Sequence, residues 1–237
     1  MNADLPRNRF LRALPDAIRH ELLQGALHVG LPQGQILQHP DDFVPHIHFI
    51  ERGLISLVVE MRDGRAVEVT ARGVEGLTSP EALLDSPRAI FDAMVQLPLT
   101  AWAVDLRHIR EMMQRHEPLR SLVYGYFHLS VLQLGLSAAC NRLHSLKERC
   151  CRWLLTARDG WGEETFPLTH EFLAVMLGAP RSGVTQACDA LRKESLIAYT
   201  RGKISIVDEA GLKDASCECY ATLQSKFAEL YKDMGKI

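Results

Sequence analysis

The sequence lacks the features that mark several classes of protein. It has no uninterrupted apolar run of about 20 residues, which a membrane-spanning helix needs, so we predict no membrane contact. The N-terminal stretch MNADLPRNRF has no apolar core of the kind found in secretion signals, and we therefore expect a cytoplasmic protein. No low-complexity tract interrupts the 237 residues, a length that suits two modest domains.

Catalytic motifs are also missing. We find no nucleophile–base pair, no glycine loop that would cradle a phosphate and no recognisable set of metal ligands. We predict that the protein is not an enzyme.

Cysteine is present, but not in a spacing typical of metal or redox motifs. The six cysteines should be reduced in the cytosol, and the one close pair with a spacer is Cys217-Glu218-Cys219 rather than C-x-x-C. His46 and His48 share one face of a predicted strand, where edge histidines are commoner than ligands. We predict no cofactor and no metal, and keep a metal or iron–sulfur site as the alternative.

The overall charge does not indicate nucleic-acid binding. A formal net charge of −2 accompanies a pI near 6.6. A local basic patch is nevertheless enough to bind DNA. The near-neutral charge favours dependence on a specific site over strong non-specific affinity.

The strongest pattern in the chain predicts two short helices joined by a tight turn. It spans residues 168–196, LTHEFLAVMLGAPRSGVTQACDALRKESL. Thr169 is suited to cap the first helix, Gly178 to end it in a left-handed conformation and Pro180 to begin the second. The spacing of the apolar residues predicts an inner face on the second helix, formed by Val184, Ala187, Cys188 and Leu191.

The opposite face of that second helix carries side chains that can bind DNA. Arg181, Ser182, Thr185 and Gln186 could contact base edges and phosphates, and Thr169 lies at the start of the first helix. This is the pattern of a helix-turn-helix, whose second helix enters the major groove by its N-terminal end. The alternative is an ordinary helical hairpin with a polar outer face.

A β-hairpin is predicted directly after the two helices. Two short β-prone runs flank Arg201-Gly202 in IAYTRGKISIV. A helix-turn-helix followed by a hairpin forms a winged helix, and Arg201 and Lys203 on the wing would meet backbone phosphates.

The N-terminal half predicts a helix followed by an antiparallel roll. Residues 7–26 form an amphipathic pattern beginning at Pro15-Asp16, and residues 27–104 alternate short β-prone runs with turn signals. Asp63-Gly64 predicts a hairpin. The alternation of Ile55, Leu57 and Val59 with Ser56, Val58 and Glu60 predicts a strand buried mostly on one face, and Glu68 and Glu75 are expected in solvent.

A long helix is predicted from Pro118 to Leu143. Apolar residues step by three and four along it, which indicates a coiled-coil-like seam. We predict that this seam joins two subunits and that Gln133 fixes its register, and the alternative is the core helix of a monomer. A neighbouring stripe (Val123, Phe127, Val131, Leu134, Ala138) is also apolar. The predicted dimer interface comprises Leu122, Tyr126, Leu129, Gln133 and Leu136.

Further helices are predicted on both sides of these regions. They cover residues 108–116, 145–158 and 212–230. The complete fold class predicted is α+β, with an N-terminal antiparallel, jelly-roll-like β-roll, a long dimerisation helix and a C-terminal winged helix-turn-helix.

This order of elements resembles the Crp/Fnr family of bacterial transcription regulators. The resemblance is carried by LPQGQILQHPDDFVPHIHFIERGLISLVV, by the helix-turn-helix segment and by RGKISIVD. It implies a homodimer that binds a palindromic operator in double-stranded DNA and acts with RNA polymerase. It also implies three units: 1–117, an effector-like roll; 118–143, the dimerisation helix; and 144–237, the DNA-binding domain.

The effector region departs from the cyclic-nucleotide-binding members. Those members have a Gly-Glu segment and an arginine followed by a small hydroxyl residue, whereas here Pro80 precedes Glu81 and Ala89 follows Arg88. Alignment by the following strand places Asp92 there, and its charge would repel a phosphate. The N-terminal cysteine cluster of oxygen-sensing members is absent. We predict an effector other than cyclic AMP, with Gly76, Ser79, Glu81 and Arg88 as pocket candidates.

The leading prediction is therefore a dimeric, sequence-specific transcription regulator with an unidentified small-molecule effector. The alternative is a metabolite-binding roll whose helical half contacts a protein. Arg181 and the wing separate the two, because a protein-binding module would not need them.

Overall fold

The computed structural model describes residues 5–234. It has the predicted α+β architecture, with a roll, a long helix and a winged helix-turn-helix following one another along the chain. The first part comprises α1 (Arg9–Ala13), α2 (Asp16–Leu22), β1 (Leu27–Leu31), β2 (Ile36–Gln38), β3 (His46–Glu60), β4 (Ala66–Arg72), a short 3-10 helix (Pro80–Leu83) and β5 (Asp92–Asp105).

The roll is an antiparallel five-stranded sheet. Its strands follow the order β1-β5-β3-β4, and β2 also pairs with β5. The predicted hairpin at Asp63-Gly64 is confirmed, since the Met61 amide donates to the Arg65 carbonyl at 2.8 Å and Gly64 has a φ of +81°. The side chains between the layers of the roll are apolar, including Ile55, Leu57 and Val95.

The prediction of one N-terminal helix was wrong. The structure has two short helices, α1 and α2, separated by Leu14 and Pro15. The ring of Pro15 fixes its φ and leaves no amide hydrogen for a continuing helix. Asn8 caps α1 by accepting from the Leu11 amide at 2.9 Å.

The prediction of one buried face on β3 was also wrong. Ser56 is fully buried and Val58 nearly so, because the C-terminal helices cover the sheet face opposite the roll interior. Glu68, expected in solvent, is 7% exposed. It accepts hydrogen bonds from the Ser56 hydroxyl and from Trp153 Nε1, the latter at 3.4 Å. Strand burial therefore depends on what packs outside the sheet as well as on the strand's own pattern.

Two helices follow the roll. These are α3 (Leu106–Arg115), capped by Asp105, and α4 (Glu117–Leu143), which is 27 residues long. By length and composition alone α4 could cross a membrane, although it contains no uninterrupted apolar run of about 20 residues. In the structure one face of α4 packs on the roll.

The winged helix-turn-helix occupies most of the remaining chain. It begins with α5 (Leu146–Trp161), whose first turn has a capping box formed by Ser145 and Glu148. The further elements are β6 (Thr165–Pro167), α6 (His170–Leu177), α7 (Arg181–Lys193), β7 (Ile197–Thr200) and β8 (Lys203–Ile206).

The last predicted helix is divided in two. Helix α8 (Glu209–Asp214) ends before Cys217, and α9 (Cys219–Met234) begins beyond it. Helix α9 returns to the roll, where Phe227 is buried beside Tyr126 with ring centroids 6.0 Å apart. The core of the roll thus includes a residue of α9.

Most of the predicted dimer seam is contradicted by the packing of α4. Leu122 and Tyr126 are fully buried inside the protomer, Leu129 is 6% exposed and Gln133 is 7% exposed. Gln133 Nε2 donates to the Ala71 carbonyl at 2.9 Å, so Gln133 pairs within the chain and does not face a symmetry mate. These residues form the face of α4 that packs on the roll and α9, and only Leu136 is partly exposed.

Candidate nucleic-acid interface

The turn between α6 and α7 is built as its sequence predicts. Thr169 Oγ1 accepts from the Phe172 amide at 3.2 Å and caps α6. Gly178 ends α6 with a φ of +56°, in the left-handed region that glycine adopts at low cost. Pro180 directly precedes α7. The Thr169 hydroxyl thus caps α6. The predicted contact of Thr169 with DNA stays a prediction.

Helix α7 presents a buried face and an exposed face. Its predicted inner residues, Val184, Ala187, Cys188 and Leu191, are all buried. Arg181, Ser182 and Gln186 are exposed, and Thr185 is partly exposed. The N-terminal turns of α7 thus offer a guanidinium, hydroxyls and an amide to a partner.

A second layer behind this face was not anticipated from the sequence. His170 Nδ1 lies 3.2 Å from Thr185 Oγ1, and the His170 ring packs on Tyr199 with centroids 4.7 Å apart. Burial lowers the pKa of His170, the Asp189 carboxylate acts in the opposite direction, and the Arg181 charge lowers the pKa further. The contact positions Thr185 and joins α6, α7 and β7.

The predicted hairpin is the wing. Strands β7 and β8 pair in register Thr200↔Lys203, and β6 completes a three-stranded sheet. Arg201 and Gly202 have φ values of +46° and +78°, as a two-residue hairpin turn with two left-handed residues requires. Arg201 and Lys203 are exposed at its tip.

The β3–β4 hairpin of the roll reaches the helix-turn-helix. Val67 lies so close to Gly178 that a Cβ on the glycine would stand 2.8 Å from Val67 Cγ2. A groove of about 790 Å³ lies between the two, bordered by Met61 and Arg65 on one side and by Arg181 on the other. The N-terminal end of α7 and the roll therefore share a surface.

The four predicted effector residues do not converge on one pocket. Gly76 packs against the Tyr126 ring, and Ser79 donates to Gln38 Oε1 at 2.8 Å while fully buried. Arg88 is exposed and donates to the Asp41 carbonyl at 2.6 Å. A cavity of about 240 Å³ in the same part of the roll is lined by other residues: Leu37, Gln38, Asp42, Phe43, Val44, Pro45, His46 and His48.

The space between β4 and α4 is occupied by a buried cation. Arg72 is 2% exposed and donates to Tyr126 Oη and Ser130 Oγ, both at 2.9 Å. Burial raises the pKa of Glu81, and the Arg72 charge acts in the opposite direction. Glu81, predicted as an effector-pocket residue, is thus an electrostatic neighbour of Arg72.

A group of potential metal ligands lies away from these regions. The fold brings Cys140 and His144 of the α4 end together with Cys217 and Cys219. Sequence reasoning missed this group because the two halves are far apart along the chain. The available signal was the i, i+4 spacing of Cys140 and His144, which places both on one side of a helix.

Comparisons with known proteins agree with this architecture. Residues 148–215 match the model of the Crp-like helix-turn-helix domain. No curated protein sequence matches the chain significantly. Among solved structures, a putative Crp/Fnr-family transcriptional regulator from Eubacterium rectale is 18% identical, with a TM-score of 0.63 and coverage of 90% of this chain and 96% of that one.

Two further structures have the same fold. FixK2 from Bradyrhizobium japonicum is 12% identical, with a TM-score of 0.68 over 81% of this chain and 98% of its own. The c-di-GMP-responsive regulator CLP from Xanthomonas campestris is 13% identical, with a TM-score of 0.64 over 82% and 100%. The shared architecture is a β-roll, a long helix and a winged helix-turn-helix. The resemblance to the Crp/Fnr family is confirmed in the fold and in the match of residues 148–215 to the Crp-like helix-turn-helix domain.

Proposed function

We propose that the protein is a homodimeric, cytoplasmic transcription regulator that binds a palindromic operator in double-stranded DNA and acts with RNA polymerase. The observation that carries the proposal is the exposed set Arg181, Ser182 and Gln186 at the N-terminal end of α7, within a Crp-like helix-turn-helix domain. The wing supplies two further exposed cations, Arg201 and Lys203. The three units 1–117, 118–143 and 144–237 divide this function, with α9 returning from the third unit to the first.

The dimer forms through the face of α4 that the protomer leaves uncovered. Val131 is 54% exposed, Tyr124 is 52% exposed and Phe127 and Leu134 are partly exposed. Phe127, Val131, Leu134 and Ala138 step by four, three and four, the spacing of a coiled-coil seam. A second copy of α4 packed on this stripe would present two recognition helices about 34–36 Å apart, one turn of DNA.

We predict that cyclic AMP and cyclic GMP are not effectors. Arg88 points to the Asp41 carbonyl, and Asp92 lies where a phosphate-binding hydroxyl is expected, paired with His39 at 2.6 Å. Isothermal titration with each nucleotide should show no saturable binding in the low micromolar range. Cyclic di-GMP should be titrated in the same way, because the structurally similar regulator CLP is c-di-GMP-responsive. One-to-one saturation by cyclic AMP would contradict the prediction and show that the roll uses other residues.

The test of the function begins with an operator selected from random DNA by the full-length protein. Arg181→Ala should then weaken binding to that operator by about 1–3 kcal/mol and flatten the preference at one position of each half-site, because a bidentate arginine–guanine contact is lost. Lys203→Ala should weaken binding to all sequences alike and reduce the salt slope by about one unit per half-site.

The matched control is Lys193→Ala, which removes an exposed cation at the far end of α7. It should leave the operator preference unchanged. Failure to select any sequence would overturn the proposed function. An equal loss on every sequence with Arg181→Ala would instead make Arg181 a phosphate contact and transfer specificity to Ser182, Thr185 and Gln186.

A further inference from the structure

Three thiols and one imidazole meet where α4 ends and the α8–α9 connection passes. The ligand atoms of Cys140, His144, Cys217 and Cys219 all lie within 4.8 Å of one another. The sulfurs of Cys140 and Cys217 are 3.5 Å apart, and Cys219 Sγ is 3.8 Å from His144 Nδ1. The three cysteines are at most 4% exposed. This is a compact, closed set of soft donors.

The separations fit a single tetrahedral ion. With Zn–S bonds of about 2.3 Å and a Zn–N bond of about 2.0–2.1 Å, tetrahedral geometry places two sulfurs about 3.8 Å apart and a sulfur and a nitrogen about 3.5 Å apart. A disulfide does not account for the approach of Cys140 and Cys217, since its S–S bond is about 2.05 Å and both thiols are free. An iron–sulfur cluster spreads its ligands over several iron atoms and needs wider spacing.

The orientation of His144 is a second, independent observation. Its Nδ1 faces the sulfurs, and its Nε2 lies 3.1 Å from Glu218 Oε2. A metal-bound imidazole usually donates its other N–H to a carboxylate, which fixes the tautomer and the ring. Glu218 stands between Cys217 and Cys219 in the chain, so the same short segment provides two thiols and the carboxylate behind the imidazole.

The surrounding charge favours thiolate ligands. Three thiolates and a divalent ion leave a net charge of −1. Arg149 and Arg152 stand near this charge, and the buried Nε of each has no hydrogen-bond partner within the described residues.

We propose that Cys140, His144, Cys217 and Cys219 form a mononuclear Cys₃His metal site whose preferred ion is zinc. Three sulfurs and one nitrogen suit Zn²⁺, and four protein ligands leave no open position, as in structural rather than catalytic zinc sites. Cys140 lies in the last turn of α4 and His144 directly follows that helix, whereas Cys217 lies between α8 and α9 and Cys219 begins α9. The ion fastens the end of the dimer helix to the segment that follows the winged helix.

Metal analysis of the full-length protein, purified without a metal-affinity step, is the first experiment. We expect about one zinc ion per chain in the protein as isolated. Cys140→Ser and Cys219→Ser should each reduce this to below about one tenth of an equivalent, because a structural zinc site rarely persists with a lost thiolate. Cys188→Ala, which removes a buried cysteine from α7 and keeps all four ligands, should retain the ion.

A cobalt titration of the wild-type apo-protein tests the site without relying on the stability of any variant. Apo-protein should bind one Co²⁺ with sulfur-to-metal charge-transfer bands and the intense d–d bands of a tetrahedral ion, both of which zinc should abolish. Glu218→Gln keeps the four ligands and should lower the zinc affinity about 10–100-fold, measured by competition with a chelator. Asp214→Asn, a nearby exposed acid, should not change it.

Two results would overturn the proposal. One is folded wild-type protein that carries no stoichiometric metal and shows no tetrahedral cobalt spectrum. The other is protein that carries several iron atoms with sulfide, which would make the cluster an iron–sulfur site. Neither outcome depends on DNA binding, so the site and the proposed function are tested separately.

Discussion

Replacing Val131 by aspartate is expected to turn the dimer into a folded monomer. Val131 is 54% exposed in the protomer and central to the uncovered stripe of α4, so the change costs nothing within one chain. In the dimer it buries two unpaired carboxylates at the symmetry axis, at a cost of about 3–5 kcal/mol, which weakens association more than about 100-fold. Sedimentation should show a 26.6 kDa species with unchanged circular dichroism.

Two further variants make this result specific. Leu129→Asp places the charge on the face that packs on the roll, where Leu129 is 6% exposed, and should unfold the protein. Val207→Asp changes an apolar residue of the winged helix that is 62% exposed and should leave the dimer intact. If Leu129→Asp gave folded monomers and Val131→Asp stayed dimeric, the interface would lie on the other side of α4.

Gly53→Ala is expected to lower the free energy of unfolding by about 2–5 kcal/mol, the sum of strain at a positive φ and of overpacking. Gly53 has a φ of +99°, and a Cβ there would stand 2.4 Å from the Pro98 carbonyl oxygen and 2.9 Å from Leu99 Cα. Both obstacles are backbone atoms of β5, which cannot move without breaking the pairing of β3 and β5. Urea denaturation followed by circular dichroism measures the loss.

Gly30→Ala is the matched control in the same sheet. Gly30 lies in β1 without a positive φ, and a Cβ there would meet nothing within 4 Å. Its unfolding free energy should change by no more than about 0.5 kcal/mol, because it is an exposed position without close neighbours. Equal midpoints for the two variants would show that β3 and β5 do not approach each other as closely as described.

The parts of the fold that follow local rules could be predicted from the sequence. The turn before α7 is specified by Thr169, Gly178 and Pro180, because each of these residues determines the backbone conformation only of its immediate neighbours. The wing follows from Arg201-Gly202 in the same way. The exposed face of α7 could be predicted from the 3.6-residue period alone. The apolar residues define the buried side of the helix, so the polar residues must lie on the opposite, exposed side.

The parts that depend on distant partners could not be predicted in this way. Both stripes of α4 are apolar. Which of them is buried inside the protomer depends on the packing of the roll and of α9, and the sequence pattern of α4 does not contain that information. The pattern of β4 predicts that Glu68 is exposed to solvent, but Trp153 of α5 packs on it and buries it. The ligand cluster needs Cys140 and Cys217 to meet, which only the return of α9 along α4 brings about.

That return also determines when the molecule can be completed during its synthesis. Phe227 of α9 packs in the same core as Phe10 and Tyr126, and Tyr231 Oη donates to the Glu75 carbonyl. The roll therefore lacks one wall of its core until α9 has been translated. Its exposed apolar surface must wait for the winged helix to emerge, so the two halves reach the native state together rather than one after the other.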